Sequence, residues 1–197
     1  MPLDKLTIIG AGLLGGSIGL AARARGLARR VSALVRRPES LAECQALGIA
    51  NEVTLDPAEA VACADLVVLC TPISGMAGLA KRTLPDLKPG TVITDVGSTK
   101  QQLVAELTPL CAGAGARFVG SHPMADSDQT GPSAARADLF DGTVCVVTPT
   151  SDTDADALAT VNDFWAGLGS RPVVMPADTH DRLVARCSHL PHLLASA

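Results

Sequence analysis

Lys5-Leu6-Thr7-Ile8-Ile9 is an apolar run too short to be a helix, and it ends in a glycine-rich turn before residues with helical spacing begin. The same alternation recurs along the chain. Short apolar runs at Arg30 to Val35, Leu66 to Leu69, Val92 to Asp95, Arg117 to Gly120, Thr143 to Val147 and Arg171 to Met175 predict further strands. Most are hydrophobic throughout, as strands covered on both faces are. Between them the apolar residues recur at helical spacing, predicting helices over Leu13 to Arg25, Pro38 to Leu47, Pro57 to Cys63, Ser74 to Leu84, Lys100 to Ala112 and Asp154 to Leu168. Asp56-Pro57, and Pro38 followed by Glu39, are fitting helix starts, because Pro suits the first turn and negative charge suits the positive end of the helix dipole. Strand and helix in alternation specify βαβ units, hence an α/β protein with a mostly parallel sheet.

From Ala177 onward the strand-like runs cease, and a helix-prone stretch over Asp178 to Ala197 has no stop signal. Residues 1–176 read as one domain and residues 177–197 as the first helix of a second, helical one. A terminal helix docked on the sheet is the alternative. There is no internal repeat.

Composition narrows the function classes. In 197 residues, 47% hydrophobic and 18% charged, there is enough apolar material for a core and no sign of extensive disorder. A net charge of -4 argues against a nucleic-acid surface, and three Phe, one Trp and no Tyr leave no stacking platform. The six cysteines form no C-x-x-C pair and lie in apolar contexts, which predicts reduced, mostly buried thiols rather than disulfides or a zinc site. No apolar stretch reaches membrane-spanning length, and a strand beginning at Lys5 leaves no room for a signal peptide, so a soluble, cytoplasmic protein is expected.

Gly10-Ala11-Gly12-Leu13-Leu14-Gly15 sits between the first predicted strand and the first predicted helix, the context that a dinucleotide-binding loop requires. Gly10 permits the tight turn, Gly12 lets backbone approach a pyrophosphate, and Gly15 lets helix and strand pack closely. The helix start then offers free N–H groups and a positive dipole end to the phosphates. The expected architecture is therefore a Rossmann-type, doubly wound sheet followed by the start of a helical domain. At the end of the second strand an NAD site usually places a carboxylate for the ribose hydroxyl, but here Val35-Arg36-Arg37 stands. Guanidinium pairs with phosphate through two parallel hydrogen bonds, so NADP is favoured over NAD, while Arg36 and Arg37 as solvated loop charges remain the plainer alternative.

Three later segments fall at strand carboxyl ends, the ligand-binding edge of open α/β sheets. Thr71 and Pro72 leave the third strand, and Ser98 and Lys100 follow the fourth. His122 follows the fifth, on what reads as a ligand-facing loop. Histidine exchanges protons near neutral pH, which makes His122 the acid/base candidate. Ser98 is placed to hydrogen-bond beside the same atom or to cap the next helix.

Together, Gly10-Ala11-Gly12-Leu13-Leu14-Gly15-Gly16-Ser17-Ile18-Gly19, Asp95-Val96-Gly97-Ser98-Thr99-Lys100, Gly120-Ser121-His122-Pro123-Met124-Ala125 and Ser188-His189-Leu190-Pro191-His192 resemble the prephenate/arogenate dehydrogenase family. The resemblance implies oxidative decarboxylation of a cyclohexadienyl substrate, prephenate or arogenate, by NAD(P). It implies His122 as the base, Ser98 as its orienting partner, and Ser121, His180, His189 and His192 near the substrate. His189 and His192 are three apart and so neighbours on one helix face, yet no third ligand at suitable spacing makes a metal site of them. Asp126 stands where the family has glycine. The family also has a C-terminal helical domain that forms a homodimer and supplies basic residues for the substrate carboxylates. Residues 1–197 stop before it, so weak or absent turnover by these residues alone is expected. Two further readings share the nucleotide loop. A non-catalytic NAD(P)-sensing module would not require both Ser98 and His122, and a β-hydroxyacid or imine oxidoreductase would require a lysine on a later helix, where none follows Lys100.

Overall fold

In a computed structural model, residues 2–125 and 129–189 are described, Ser188 and His189 by backbone alone. Six strands form one sheet in the order β3-β2-β1-β4-β5-β6. They are β1 (Leu3–Ile9), β2 (Ala28–Leu34), β3 (Glu52–Thr54), β4 (Leu66–Leu69), β5 (Val92–Asp95) and β6 (Arg117–Phe118). Every neighbouring pair is parallel. The strand order reverses between β1 and β4, and at that switch point the carboxyl ends of the strands open a crevice. The sheet is the doubly wound one expected, with one addition. Strand β3 lay hidden in the sequence because Glu52-Val53-Thr54 is short, polar at its start, and pairs only at the edge.

The crossovers are α1 (Leu13–Ala24), α2 (Pro38–Ala46), α3 (Pro57–Val61), α4 (Ile73–Thr83) and α5 (Gln101–Gly113), followed later by α6 (Ala155–Gly167). Side chains in a strand alternate between faces, and here both faces are covered. In β4, Leu66 and Val68 join the core shared with Ile18 of α1 and Trp165 of α6. Val67 and Leu69 join the opposite core with Met76 of α4 and Leu107 of α5. Asp56 and Asp154 cap α3 and α6, accepting 2.9 Å bonds from Ala58 N–H and Ala157 N–H.

The fifth predicted strand is not one element. Its first half, β6, ends the large sheet, and Gly120 opens β7 (Gly120–Pro123) of a second sheet, ordered β7-β8-β9 with β8 (Val144–Thr148) and β9 (Arg171–Val174). Strand β7 runs antiparallel to β8, with His122 opposite Val146. A Cβ at residue 120 would come within 2.6 Å of Thr148 Oγ1 and 2.9 Å of Val104 Cγ2, so the chain passes between sheets only where the side chain is missing. His122 is therefore a strand residue, not a loop residue, and its backbone is pinned by the ladder.

Helix α7 (Ala177–Val184) begins where expected and continues as a π-helical turn to His189. Among the described residues no helix is long and apolar enough to cross a membrane. Of the six free cysteines, Cys44, Cys111 and Cys145 are buried, whereas Cys63 and Cys187 are exposed, against the expectation of mostly buried thiols.

Candidate active site

The crevice at the switch point is a cleft of about 1050 Å³ whose walls include Gly12, Leu13 and Leu14 of the glycine loop, Thr71 and Pro72 after β4, Ser98 after β5, and His122 on β7. Seven separately predicted residues thus meet in one cavity. Their meeting follows from the parallel sheet, which delivers each strand's carboxyl end to the same edge.

The glycine loop fits a dinucleotide for reasons specific to each position. Gly10 holds a φ of +96°, a left-handed conformation that side chains disfavour. A Cβ on Gly15 would stand 2.0 Å from the Gly10 carbonyl oxygen, so α1 can approach β1 this closely only with glycine there. A Cβ on Gly12 would meet nothing within 4 Å, because that position faces the open cleft where a phosphate can approach the backbone. The buried Thr71 hydroxyl has no protein partner among the described residues, leaving it available to a ligand in the cleft it lines.

His122 is half-buried, and its Nδ1 lies 2.9 Å from Nε2 of His180, the two rings meeting edge to face. His180 Nδ1 lies 2.7 Å from Asp181 Oδ1. The same carboxylate accepts the N–H groups of Lys100 (2.7 Å) and Gln101 (2.9 Å), the otherwise unsatisfied donors at the start of α5. Burial raises the Asp181 carboxyl, but these backbone bonds and His180 outweigh it and hold the group below the usual carboxylate range.

Three expectations change here. His180 is 1% exposed with both ring nitrogens engaged by protein, so it stands behind His122 rather than against a substrate. Ser121 is also buried. Its hydroxyl donates to the Asp95 carbonyl at 2.5 Å, lies 2.8 Å from Thr94 Oγ1, and accepts from Trp165 Nε1 at 3.0 Å, which leaves no capacity for substrate. Ser98 does not cap α5, whose N-cap is Lys100 and whose first donors belong to Asp181; it is exposed on the cleft wall instead. The side chain of His189, all of His192, and Asp126 to Asp128 lie outside the described residues.

Beneath the wall, Lys100 and Asp95 form an ion pair with both side chains fully buried. Lys100 Nζ also donates to the Ser121 carbonyl at 2.8 Å, and Asp95 Oδ1 accepts the Ser121 N–H at 3.0 Å. This pair joins the end of β5 to β7 and so holds Ser98 and His122 in register. Thiol chemistry is not available at this wall, since burial pushes both the Cys70 and Cys145 thiols well up and keeps them protonated.

A second cavity, of about 230 Å³, lies at the other end of the glycine loop and is lined by Gly10, Val35, Arg36, Thr71 and Arg82, among others, with no carboxylate among the described residues. Arg37 lines neither cavity and serves as the N-cap residue of α2. Arg82 was invisible to sequence reasoning because a cation in the last turn of a helix reads as dipole compensation.

A family model described as the prephenate dehydrogenase nucleotide-binding domain matches residues 18–174. The chain belongs to this family. The match begins after the glycine loop, so the loop stands as separate support for a nucleotide site. The chain is 36% identical over 190 residues to the cyclohexadienyl dehydrogenase of Zymomonas mobilis, covering 96% of this chain and 64% of that protein. Among solved structures it is similar to A. aeolicus prephenate dehydrogenase in complex with hydroxyphenyl propionate and NAD+, with TM-score 0.92 and 30% identity, covering 99% of this chain and 68% of that one. Synechocystis arogenate dehydrogenase matches with TM-score 0.88 and 29% identity, over 95% of this chain and 65% of its own. The chain spans about half to two thirds of the length of the curated family members it matches.

Proposed function

We propose that the whole protein is a nicotinamide-dependent dehydrogenase of tyrosine biosynthesis, converting prephenate to 4-hydroxyphenylpyruvate or arogenate to tyrosine by oxidative decarboxylation. The observation that carries this reading is the presence of His122 and Ser98 in the wall of the same cleft as the glycine loop, within a chain of this family. Gly12, Leu13, Leu14, Thr71 and Pro72 would hold the dinucleotide, with Arg36 at its adenosine end. When bound there, a nicotinamide would supply the acceptor for hydride from the carbinol carbon of the ring. His122 takes the proton of that carbinol hydroxyl, and Ser98 orients the hydroxyl by a hydrogen bond. Loss of the ring carboxylate as carbon dioxide then gives the aromatic product, and aromatisation drives the reaction forward.

The test is reduction of cofactor by the whole protein supplied with prephenate and, separately, with arogenate. Formation of the phenolic product with either substrate is the expected result, and reduction with neither sinks the reading.

NADP is the preferred cofactor in this proposal. Arg36 and Arg82 line the adenosine-end cavity, no carboxylate among the described residues does, and a 2′-phosphate would find two guanidinium groups to pair with. Separate titrations should show tighter binding of NADP than of NAD. Arg36→Asp should weaken NADP binding about 10- to 100-fold, the worth of a charge-assisted pair, and leave NAD binding unchanged or better. Equal affinity of the unaltered protein for both cofactors would count against the role of Arg36.

A further inference from the structure

The chain of contacts behind His122 has a directionality that follows from its last member. Asp181 is a carboxylate whose Oδ1 and Oδ2 already accept two backbone N–H bonds, and it can only accept from His180 Nδ1. The proton of a neutral His180 ring therefore sits on Nδ1, and its Nε2 carries a lone pair. That lone pair lies 2.9 Å from His122 Nδ1, so the proton between the rings belongs to His122 Nδ1. A neutral imidazole has one donor and one acceptor nitrogen, and His122 Nε2 is left as the acceptor.

We propose that Asp181 and His180 are positioning residues that set the tautomer of His122, keeping its Nε2 the proton-accepting nitrogen toward the ring hydroxyl of the substrate. This rests on the reading of His122 as the base. The burial of His180 supports the assignment, because no bulk water competes with His122 and Asp181 for its ring nitrogens. So does the anchoring of Asp181 by α5, which fixes the carboxylate before any ligand arrives. His180 is thereby moved from the substrate-contacting group to one that acts through His122.

The test is spectroscopic and needs no substrate. The chain holds four histidines, so nitrogen-15 spectra of the ring nitrogens in uniformly labelled protein can be assigned by removing each histidine in turn. Spectra are taken at a pH above which the His122 signals no longer change. Protonated Nδ1 and bare Nε2 on His122 are expected. A proton on Nε2 of His122 in the unaltered protein overturns the proposal, since it would mean that His180 donates.

His180→Phe, which keeps a planar aromatic ring at the position and removes both nitrogens, should move the His122 proton largely to Nε2. In that variant kcat should fall about 10²- to 10⁴-fold, the cost of a misassigned tautomer, with KM changed no more than a few-fold. An unchanged tautomer in His180→Phe overturns the proposal as well. If that variant does not fold, the spectrum of the unaltered protein decides alone. A protein that shows the expected tautomer and turns over neither substrate refutes the proposed function and leaves the relay intact. Turnover with the opposite tautomer refutes only the relay.

Discussion

Replacing His122 by Asn in the whole protein should lower kcat at least 10³-fold while leaving the cofactor dissociation constant within about two-fold, as read by steady-state rates and by cofactor titration. The asymmetry follows from where the residue sits. The proposed cofactor contacts lie in the glycine loop and the exit of β4, at the carboxyl edge of the large sheet. His122 belongs to β7 of the second sheet, and its backbone bonds to β8 do not depend on its side chain. Asn is small enough for the half-buried position and can still hydrogen-bond, but it has no basic nitrogen near neutral pH. Binding that persists while turnover is lost is the result expected of a base that lines the cleft and takes no part in holding the cofactor. Unchanged turnover would remove His122 from the mechanism. Loss of binding and turnover together would mark it as a structural element of the cleft.

A second large effect is expected at Lys100, on stability rather than chemistry. Lys100→Met should destabilise the protein by about 3–5 kcal/mol, because it leaves the Asp95 carboxylate buried without its counter-ion. For a chain of this size that corresponds to roughly 6–20 °C in thermal midpoint. Methionine nearly matches the apolar stem of lysine, so the loss is electrostatic and not a packing defect. Adding Asp95→Leu should recover only part of it. The buried charge is then gone, yet the N–H groups of Gly97 and Ser121, both bonded to Asp95, lose their acceptor. A midpoint within 3 °C of the unaltered protein for Lys100→Met, measured by calorimetry, would show that the pair is not a structural staple. Sequence reasoning placed Lys100 in a ligand-facing motif, but its fully buried ammonium is committed to Asp95 and Ser121.

How far the site could be read in advance depended on the range of the interactions that build it. The glycine loop was legible because its chemistry is local: a turn, a close approach and a helix start within six consecutive residues. The strand ends carrying Thr71 and Ser98 were legible because apolar runs announce parallel strands, and parallel strands share one edge. Arg117 to Gly120 misled because the apolar run extends through Val119, beyond the end of β6, right up to the change of sheets, and only Gly120 marks the passage. Ser121 adjoins the candidate base in the sequence and so looked like part of the site. Alternation in β7 turns it to the opposite face, where it bonds Trp165 from α6. Asp181 was missed altogether. It caps a helix 81 residues away, a partnership that no spacing rule encodes, although its place beside His180 was a usable hint.

The passage at Gly120 has a mechanical meaning for the proposed reaction. In that reaction hydride and proton would leave neighbouring atoms of one substrate, yet their proposed acceptors would be carried by different sheets: the cofactor by the glycine-loop edge of the large one, His122 by the small one. The distance between the two acceptors is therefore a property of the seam, and the Asp95–Lys100–Ser121 linkage sets its stiffness. A misalignment of about 1 Å can cost 10²-fold in rate. Substitutions that soften this seam, far from any substrate contact, would uncouple the two transfers without emptying either site.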